Sequence, residues 1–355
     1  MTRPLLAPLG APELLPHAAD DVRARCLDPE ASLSERLDAL EDLAEAEVGD
    51  TPLLRARGLE RLYGLRQLYL KVEGDNPTGT QKDRIAFAQV LDAVRRGAPG
   101  VCFATCGNYG VAMAWAARAP GLRCVAVVPT GYRAPRIDQI ASLGAEVVRA
   151  GHDYEDAVIA ARELAEEEDL YDANPGGANE PLQVRAYREI ATEVYDELRD
   201  APAAIAVPVS NGTTLAGIHR GFVSLHRRGK TSRIPAVVAG SAFQKNPIVR
   251  SFALGLSTCQ DLDPNQVKES PVNEPLINWH ALDGDAALHA VRSTGGAAVD
   301  VSDRRMRELA TLLRKEQGLH VQPASTAGLA ALLALHDLEP LRPDRYVAVL
   351  TGRSG

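Results

Sequence analysis

A lysine follows a turn in the first third of the chain, at a position suited to amine chemistry. Lys82 comes after Asn-Pro-Thr-Gly-Thr-Gln, and the first four of these residues, 76–79, are typical of a turn. A helical pattern begins just after it, so we expect Lys82 at a helix start, where the helix dipole disfavours the charged ammonium. A neutral lysine amine forms Schiff bases with carbonyl compounds. The alternative is a surface lysine that only opens a helix.

Two further loops combine glycine with small polar residues, and each lies between a predicted strand and a predicted helix. Backbone N–H groups at a helix start bind anions, and glycine lets the chain turn sharply there. The second loop adds hydroxyl groups and lacks a lysine, so it fits a phosphate without being a nucleotide P-loop. Each loop could equally serve only as a helix cap. The loops contain Thr105, Cys106, Gly107, Asn108, Tyr109 and Gly110, and Ser210, Asn211, Gly212, Thr213 and Thr214.

A hydroxyl side chain follows the last predicted strand. Thr351 comes directly after the apolar run Tyr346–Leu350 and is followed by Gly-Arg-Ser-Gly. A hydroxyl at this point is a candidate partner for the ring nitrogen of a ligand. The alternative is a residue at a fraying strand end.

The elements around these loops alternate between short apolar runs and helical patterns. This alternation predicts an α/β fold with mostly parallel sheets flanked by helices, in which ligands bind beyond the carboxyl ends of the strands. A helical pattern with a cap at Ser32 or Ser34 precedes the first strand. We expect an N-terminal arm over 1–50, a large domain of 51–85 and 186–355, a small domain of 86–185, and a long loop from about 255 to 285. The predicted strands are Leu68–Val72, Val101–Ala104, Cys124–Val128, Glu146–Arg149, Ile205–Val209, Ala236–Ala239, Ala298–Val301 and Tyr346–Leu350.

The composition is that of an ordinary globular protein. Of the 355 residues, 45% are hydrophobic and 24% charged, and the net charge of −8 argues against non-specific nucleic-acid binding. No run of about 18 apolar residues and no secretory signal pattern is present, so we expect no membrane segment and no export. Five scattered cysteines without a Cys-x-x-Cys pair favour a reducing cytoplasm, and the histidines show no spacing typical of a metal site.

Taken together, these features resemble the fold type II pyridoxal-phosphate enzymes, and among them the threonine synthases most closely. The resemblance covers residues 50–355 and is carried by Asn-Pro-Thr-Gly-Thr-Gln-Lys-Asp-Arg at 76–84, by the order of the loops, and by Gln-Pro-Ala-Ser at 322–325 and Leu-Thr-Gly at 350–352. It implies a two-domain fold similar to the tryptophan synthase β chain, with pyridoxal 5'-phosphate (PLP) in the cleft between the domains. It also implies a homodimer.

The resemblance further implies a role for each matching residue. Lys82 would carry PLP as a Schiff base and move the proton on the substrate Cα. Asn108 would bind the ring hydroxyl of PLP, and Thr351 would face its pyridine nitrogen. The phosphate would be bound by Ser210, Asn211, Gly212, Thr213 and Thr214. The carboxylate of a small amino-acid substrate would be bound by Thr105, Cys106 and Gly107.

The implied reaction is elimination or replacement at Cβ or Cγ of a small amino acid, with O-phosphohomoserine or a related activated amino acid as substrate. Threonine synthases usually carry an arginine after the Asn-Pro that here begins at Asn174, but this chain has no basic residue before Arg185. Lys71 and Thr80 remain as candidate ligands for a substrate phosphate.

Two alternatives therefore stay open. One is a serine or threonine dehydratase, or a β-replacement synthase of the cysteate or cysteine synthase type. The other is a PLP-binding regulator without catalysis, because Gln81, Tyr109 and Gln322 depart from the family pattern.

Overall fold

The computed structural model describes residues 22, 24–28, 30–132 and 135–354. Within them the chain divides into two compact units. Unit 1 contains residues 50–75 and 187–354, and unit 2 contains the residues up to 49 together with 76–186.

The secondary structure alternates between strands and helices, as predicted. In the described part of the chain, the strands are β1 (Leu53–Arg55), β2 (Leu68–Val72), β3 (Gly100–Ala104), β4 (Arg123–Val128), β5 (Glu146–Arg149), β6 (Tyr171–Asp172), β7 (Ala204–Pro208), β8 (Ala236–Ala242), β9 (Ala297–Val301) and β10 (Tyr346–Leu350). The helices there are α1 (Leu33–Glu47), α2 (Arg57–Tyr63), α3 (Lys82–Arg95), α4 (Asn108–Arg118), α5 (Pro135–Ser142), α6 (Tyr154–Glu167), α7 (Glu180–Leu198), α8 (Thr213–Arg227), α9 (Pro247–Ala253), α10 (Gly284–Ser293), α11 (Asp303–Gln317) and α12 (Ala327–Leu338). None of these helices is long and apolar enough to cross a membrane.

Unit 1 is built on a six-stranded sheet, as far as the described residues show, with the order β1-β2-β10-β7-β8-β9. Strand β1 is antiparallel to β2, and the other neighbours are parallel. All five residues of β10 are buried, which is typical of a parallel strand covered on both faces. Because β2, β10 and β7 are parallel neighbours, the loops that follow them begin at the same edge of the sheet. That edge carries Thr351 and the loop from Ser210.

Unit 2 contains a four-stranded parallel sheet, again counted over the described residues, with the order β5-β4-β3-β6. The loops after β4, β3 and β6 therefore leave from one edge of this sheet. Helices α3 and α4 pack on each other, and the rings of Phe87 and Trp115 lie 5.0 Å apart between their centroids.

The boundaries of the units differ from the expected domains at two places. Residues 76–85, expected with the large domain, group with unit 2, because α3 begins at Lys82 and its apolar face packs in the unit 2 core with Phe87 and Val90. Helix α1, expected in an N-terminal arm, packs on the same core through Leu40 and Leu43. Its start is capped by Ser32, which forms a capping box with Glu35.

Two short strands were not predicted. Strand β1 has three residues and β6 has two, and a run of this length carries no readable alternation of apolar and polar residues. Strand β1 closes an edge of the sheet in unit 1. Strand β6 extends the sheet in unit 2 beside β3, and the segment after it borders the Gly-Asn loop described below.

Candidate active site

The backbone on both sides of Lys82 is held by side chains of its own turn. The carboxylate of Asp83 is buried and accepts hydrogen bonds from the backbone N–H of Thr78 at 2.9 Å and from the Thr78 hydroxyl at 2.8 Å. The Thr80 hydroxyl oxygen accepts from the backbone N–H of Lys82 at 3.2 Å. Helix α3 begins at Lys82, as the sequence predicted. The turn therefore fixes the point from which the lysine side chain leaves the backbone.

The Gly-Asn loop, residues 105–108, joins β3 to α4 in unit 2. The hydroxyl oxygen of Thr105 is buried and accepts from the backbone N–H of Gly107 at 3.1 Å and of Gly110 at 2.9 Å. A methyl group at Gly110 would lie 2.5 Å from Ile140 Cδ1 and 2.6 Å from Thr105 Cγ2, so only glycine fits there. Gly107 occupies the N-cap position of α4 and Asn108 is its first residue, so Asn108 does not act as the cap.

The phosphate loop, residues 210–214, joins β7 to α8 in unit 1. Gly212 adopts a left-handed conformation with φ of 95°. Among the hydrogen bonds of the described residues, none is donated by the backbone N–H groups of residues 210–214. Consecutive free N–H groups at a helix start form a binding site for an anion, and the helix dipole adds to it. The loop therefore has the features of an anion site, and its predicted role in binding a phosphate stays a prediction.

Residues far along the chain hold the other polar groups of the phosphate loop. The side chain of Asn278 donates to Asn211 Oδ1 at 2.8 Å, and the backbone N–H of Asp283 donates to the Asn211 carbonyl at 3.0 Å. The Thr213 hydroxyl donates to the Asp283 carboxylate, and Asn246 donates to the Ser210 carbonyl at 3.0 Å. These bonds use carbonyl and side-chain groups of the loop, and none of them uses its backbone N–H groups.

The sequence analysis did not identify Asn246, Asn278 or Asp283. The last two lie in the stretch expected as a long loop, which the structure shows as a connection from α9 to α10 with two 3₁₀ turns. They are 67 and 70 residues from their partners in the phosphate loop, and no local pattern marks them.

The C-terminal end of β10 is fixed by a serine of the Gln-Pro-Ala-Ser segment. Ser325 is buried, and its Oγ accepts from the backbone N–H of Gly352 at 2.8 Å and donates to the Gly352 carbonyl at 2.8 Å. The Thr351 hydroxyl lies 3.4 Å from Ser325 Oγ. The chain after β2 also approaches closely, because a methyl group at Gly74 would lie 2.9 Å from the backbone N of Arg353. Thr351 is thus held in place rather than on a fraying strand end.

Lys71 is the fourth of the five residues of β2 and is almost completely buried, with 1% of its surface exposed. Its ammonium group contacts the carboxylate of Glu193 and the carbonyl oxygen of Thr51. The carboxylate of Glu193 compensates the buried charge of Lys71. The predicted role of Lys71 as a ligand of a substrate phosphate stays a prediction, and any such contact would share its ammonium with Glu193.

The cysteines whose pKa is shifted are poor nucleophiles. Burial raises the pKa of Cys102 and of Cys124 to about 12, and burial raises that of Cys259 to about 11. These side chains are neutral thiols at physiological pH, and a thiol is a much weaker nucleophile than a thiolate. The amine of Lys82 stays the predicted reactive group.

The predicted site residues fall into two sets, one in each unit. Unit 1 carries the phosphate loop, Lys71 and Thr351, and unit 2 carries Lys82, Thr80 and the Gly-Asn loop. The structure brings Thr80 to the backbone of Lys82, and Thr105 to Gly107. A phosphate matches the free N–H groups of the phosphate loop, and a neutral ring nitrogen matches the hydroxyl of Thr351. The residues present therefore fit PLP.

This combination of fold and site defines a PLP-binding enzyme of fold type II. Residues 44–352 match the family described as pyridoxal-phosphate dependent enzymes, so the chain belongs to that family. The cofactor is pyridoxal 5'-phosphate, as the sequence predicted.

Named relatives agree with this assignment. The chain is 31% identical over 307 residues to a threonine synthase of Methanocaldococcus jannaschii, covering 86% of this chain and 74% of that protein. It is 30% identical over 306 residues to a threonine synthase of Synechocystis sp., covering 86% and 76%. The structure of the processed form of threonine deaminase isoform 2 from Solanum lycopersicum superposes with a TM-score of 0.71 at 19% identity, covering 91% and 90%. The predicted family resemblance and class of chemistry, elimination or replacement at Cβ or Cγ of an amino acid, are confirmed.

Proposed function

We propose that this enzyme is a lyase or synthase similar to threonine synthase, acting on O-phosphohomoserine or a related activated amino acid. The observation that carries the proposal is the phosphate loop, whose backbone N–H groups from residue 210 to 214 donate to no described group. In a family that uses PLP, these groups are the natural ligands of the cofactor phosphate. The similarity to threonine synthases over 86% of the chain supports the type of substrate.

Each side chain then has a defined task. When bound, PLP supplies an electron sink for charge that develops at the substrate Cα. Lys82 binds the cofactor covalently and, once released, takes and returns the Cα proton. Asn108 orients the PLP ring by a hydrogen bond to the ring hydroxyl, and the neutral hydroxyl of Thr351 faces the pyridine nitrogen. The substrate carboxylate binds at Thr105, Cys106 and Gly107, and a substrate phosphate binds at Lys71 and Thr80.

A second candidate is a dehydratase of serine or threonine, or a synthase that replaces a β substituent. It is favoured by the segment after β6, residues 174–184, which contains no basic residue. The side chains of Asn174, Asn179 and Gln183 are buried there and bond within unit 2. This segment therefore offers no cation to a phosphate on the substrate side chain.

The purified protein decides between these functions. We expect a visible absorption band of bound cofactor that shifts when the right amino acid is added. Phosphate release from O-phosphohomoserine supports the first candidate, and 2-oxo acid from serine or threonine, or a sulfite-dependent product from phosphoserine, supports the second. Absence of turnover with all of them, in a protein that retains the cofactor, would instead indicate a PLP-binding regulator.

The role of Lys82 has its own control. Lys82→Ala is expected to bind PLP without a covalent link and to lose turnover, because no other amine is fixed at this point of the turn. Lys230→Ala, which changes an exposed lysine in the loop after α8, should keep both properties. A Lys82→Ala protein that still carries covalently bound cofactor would refute the assignment.

We further propose a cytoplasmic homodimer. Its support is the family resemblance and the absence of disulfide bonds at the cysteines 26, 102, 106, 124 and 259, which matches a reducing compartment. Light scattering of the purified protein tests the dimer, and a monomer with full activity would reject it.

A further inference from the structure

The sheet of unit 2 places two different segments on either side of the Gly-Asn loop. Its order is β5-β4-β3-β6 and all its strands are parallel. The Gly-Asn loop follows β3, so the segment after β6 borders it on one side and the segment after β4 borders it on the other. Within the sheet of unit 2, these two segments are the neighbours of an acidic group bound at this loop.

The segment after β6 contributes no cation of its own, because its polar groups complete a buried network. The side chain of Gln89 accepts from Asn179 at 2.6 Å and from Gln183 at 3.2 Å, and donates to the Tyr109 hydroxyl oxygen at 2.7 Å. The Tyr109 hydroxyl donates to the Ala173 carbonyl at 2.5 Å. These bonds tie the segment to α3 and α4, and every one of them joins neutral groups. Arg162 of α6 lies beside the segment, where it donates to the Pro175 carbonyl at 2.6 Å and pairs with Asp172.

Two backbone N–H donors at the loop are already used in hydrogen bonds of their own. The backbone N–H of Gly107 donates to Thr105, and so does that of Gly110. A substrate acid at this loop would therefore gain from a positive charge beside it.

The β4 side carries an arginine next to the loop. Helix α5 packs on α4, and the stem of Arg136 lies over Gly107, where a methyl group would be 3.7 Å from Arg136 Cγ and 3.9 Å from its Cβ. One turn further along α5, Ile140 lies closer still to Gly110, where a methyl group would be 2.5 Å from Ile140 Cδ1. Glycine at 110 thus lets this face of α5 approach the loop closely, with Arg136 at the end where the substrate acid is expected.

We propose that Arg136 is a specificity-determining residue that binds an acidic group of the substrate, a carboxylate or a phosphate, at the Gly-Asn loop. The inference rests on the proposed function and adds a residue from the β4 side to it. Arg136 Nη1 donates to Gln139 Oε1 at 3.0 Å, a neutral acceptor one turn away on the same helix. A guanidinium has five N–H donors, and its bonds to an anion are about twice as strong as those to a neutral group. An acid bound at the loop would use further N–H donors of this guanidinium.

Steady-state kinetics of Arg136→Gln and Arg136→Lys test this assignment. For the glutamine variant we expect KM to rise about tenfold, the loss typical of a partly exposed charged hydrogen bond, with kcat within about twofold. The lysine variant should recover part of the loss because it restores the charge. Arg118→Gln, at the opposite end of α4, should behave as the parent.

The variant Gln139→Ala distinguishes binding of the substrate by the Arg136 charge from a purely structural role of Arg136. This change removes the same intrahelical hydrogen bond and keeps the charge, so KM should stay within about twofold of the parent. If Gln139→Ala reproduces the effect of Arg136→Gln, the charge is not the cause and the proposal is overturned.

Two substrates locate the acid that Arg136 binds. A rise in KM for both serine and O-phosphoserine assigns it to the α-carboxylate, and a rise for O-phosphoserine alone assigns it to the side-chain phosphate. Equal KM values of parent and Arg136→Gln, with both proteins folded, overturn the proposal. Should neither compound be turned over, calorimetric titration of O-phosphohomoserine, serine and O-phosphoserine into Lys82→Ala and Lys82→Ala/Arg136→Gln decides. Equal binding by the two proteins rejects only the proposed role of Arg136. Absence of any binding rejects the proposed function as well.

Discussion

Replacing Gly212 by alanine separates two costs at the phosphate loop. Its φ of 95° lies in the left-handed region, which costs an L residue roughly 1–2 kcal/mol. The added methyl would also lie 2.8 Å from Ala287 Cβ, 2.9 Å from the Asp283 carbonyl oxygen and 3.1 Å from Ile248 Cδ1. Overpacking of this kind costs about 1–3 kcal/mol more. We expect Gly212→Ala to lower the free energy of unfolding by about 2–5 kcal/mol.

Gly229 provides a matched control, because it follows the same helix α8 at its other end. Its φ of 69° is also left-handed, but no described atom lies within 4 Å of the added methyl. Gly229→Ala should therefore show only the conformational cost, about 1–2 kcal/mol. The difference between the two variants isolates the steric part, which we place at about 1–3 kcal/mol.

Urea unfolding of both proteins without cofactor gives the two free energies, and titration with PLP gives the two affinities. Because relief of the contacts at Gly212 must move the loop, Gly212→Ala should also bind PLP at least tenfold more weakly than Gly229→Ala. Equal free energies of unfolding together with equal affinities would refute both the conformation and the role assigned to this loop.

Two further predictions concern stability. Gln89→Leu removes a fully buried group that bonds Asn179 and Tyr109, so the free energy of unfolding should fall by about 2–4 kcal/mol in urea, and a loss below about 0.5 kcal/mol would contradict the network. A hydrogen bond from Arg233 lowers the pKa of Asp344, so its stabilisation is present above the unfolded pKa and is lost as the pH falls through the folded pKa. The stability difference between the parent and Asp344→Asn should therefore be present at pH 7 and vanish in acid; a difference unchanged at pH 2.5 would exclude this ion pair as its cause.

Much of the local structure follows from residues close together in the chain. The run Tyr-Val-Ala-Val-Leu at 346–350 is apolar throughout, which is typical of a parallel strand buried on both faces, and Ser32 with Glu35 starts a helix through its own side chains. The turn at 76–79 places Lys82 at the head of α3. These features were predicted because they depend on spacing within a few residues.

The extent of each core was decided by tertiary packing. Residues 76–85 group with unit 2 because the rest of α3 is buried there. The residues before Lys82 do not show in which of the two cores α3 will be buried. The strands of three and two residues exist only through pairing with a neighbour, since they are too short to be stable or recognisable alone.

Sequence alone determined the type of chemistry through the family resemblance, because the motifs that carry it, at 76–84, 322–325 and 350–352, are local arrangements. Tertiary structure decided which residues surround them. Asp283 meets Thr213 across 70 positions, and Arg136 comes to lie over Gly107 only because β4 is the neighbour of β3. The order of strands in a sheet results from how the helices and loops pack as a whole, and no short pattern encodes it. The supporting contacts of the site therefore became visible only in the fold.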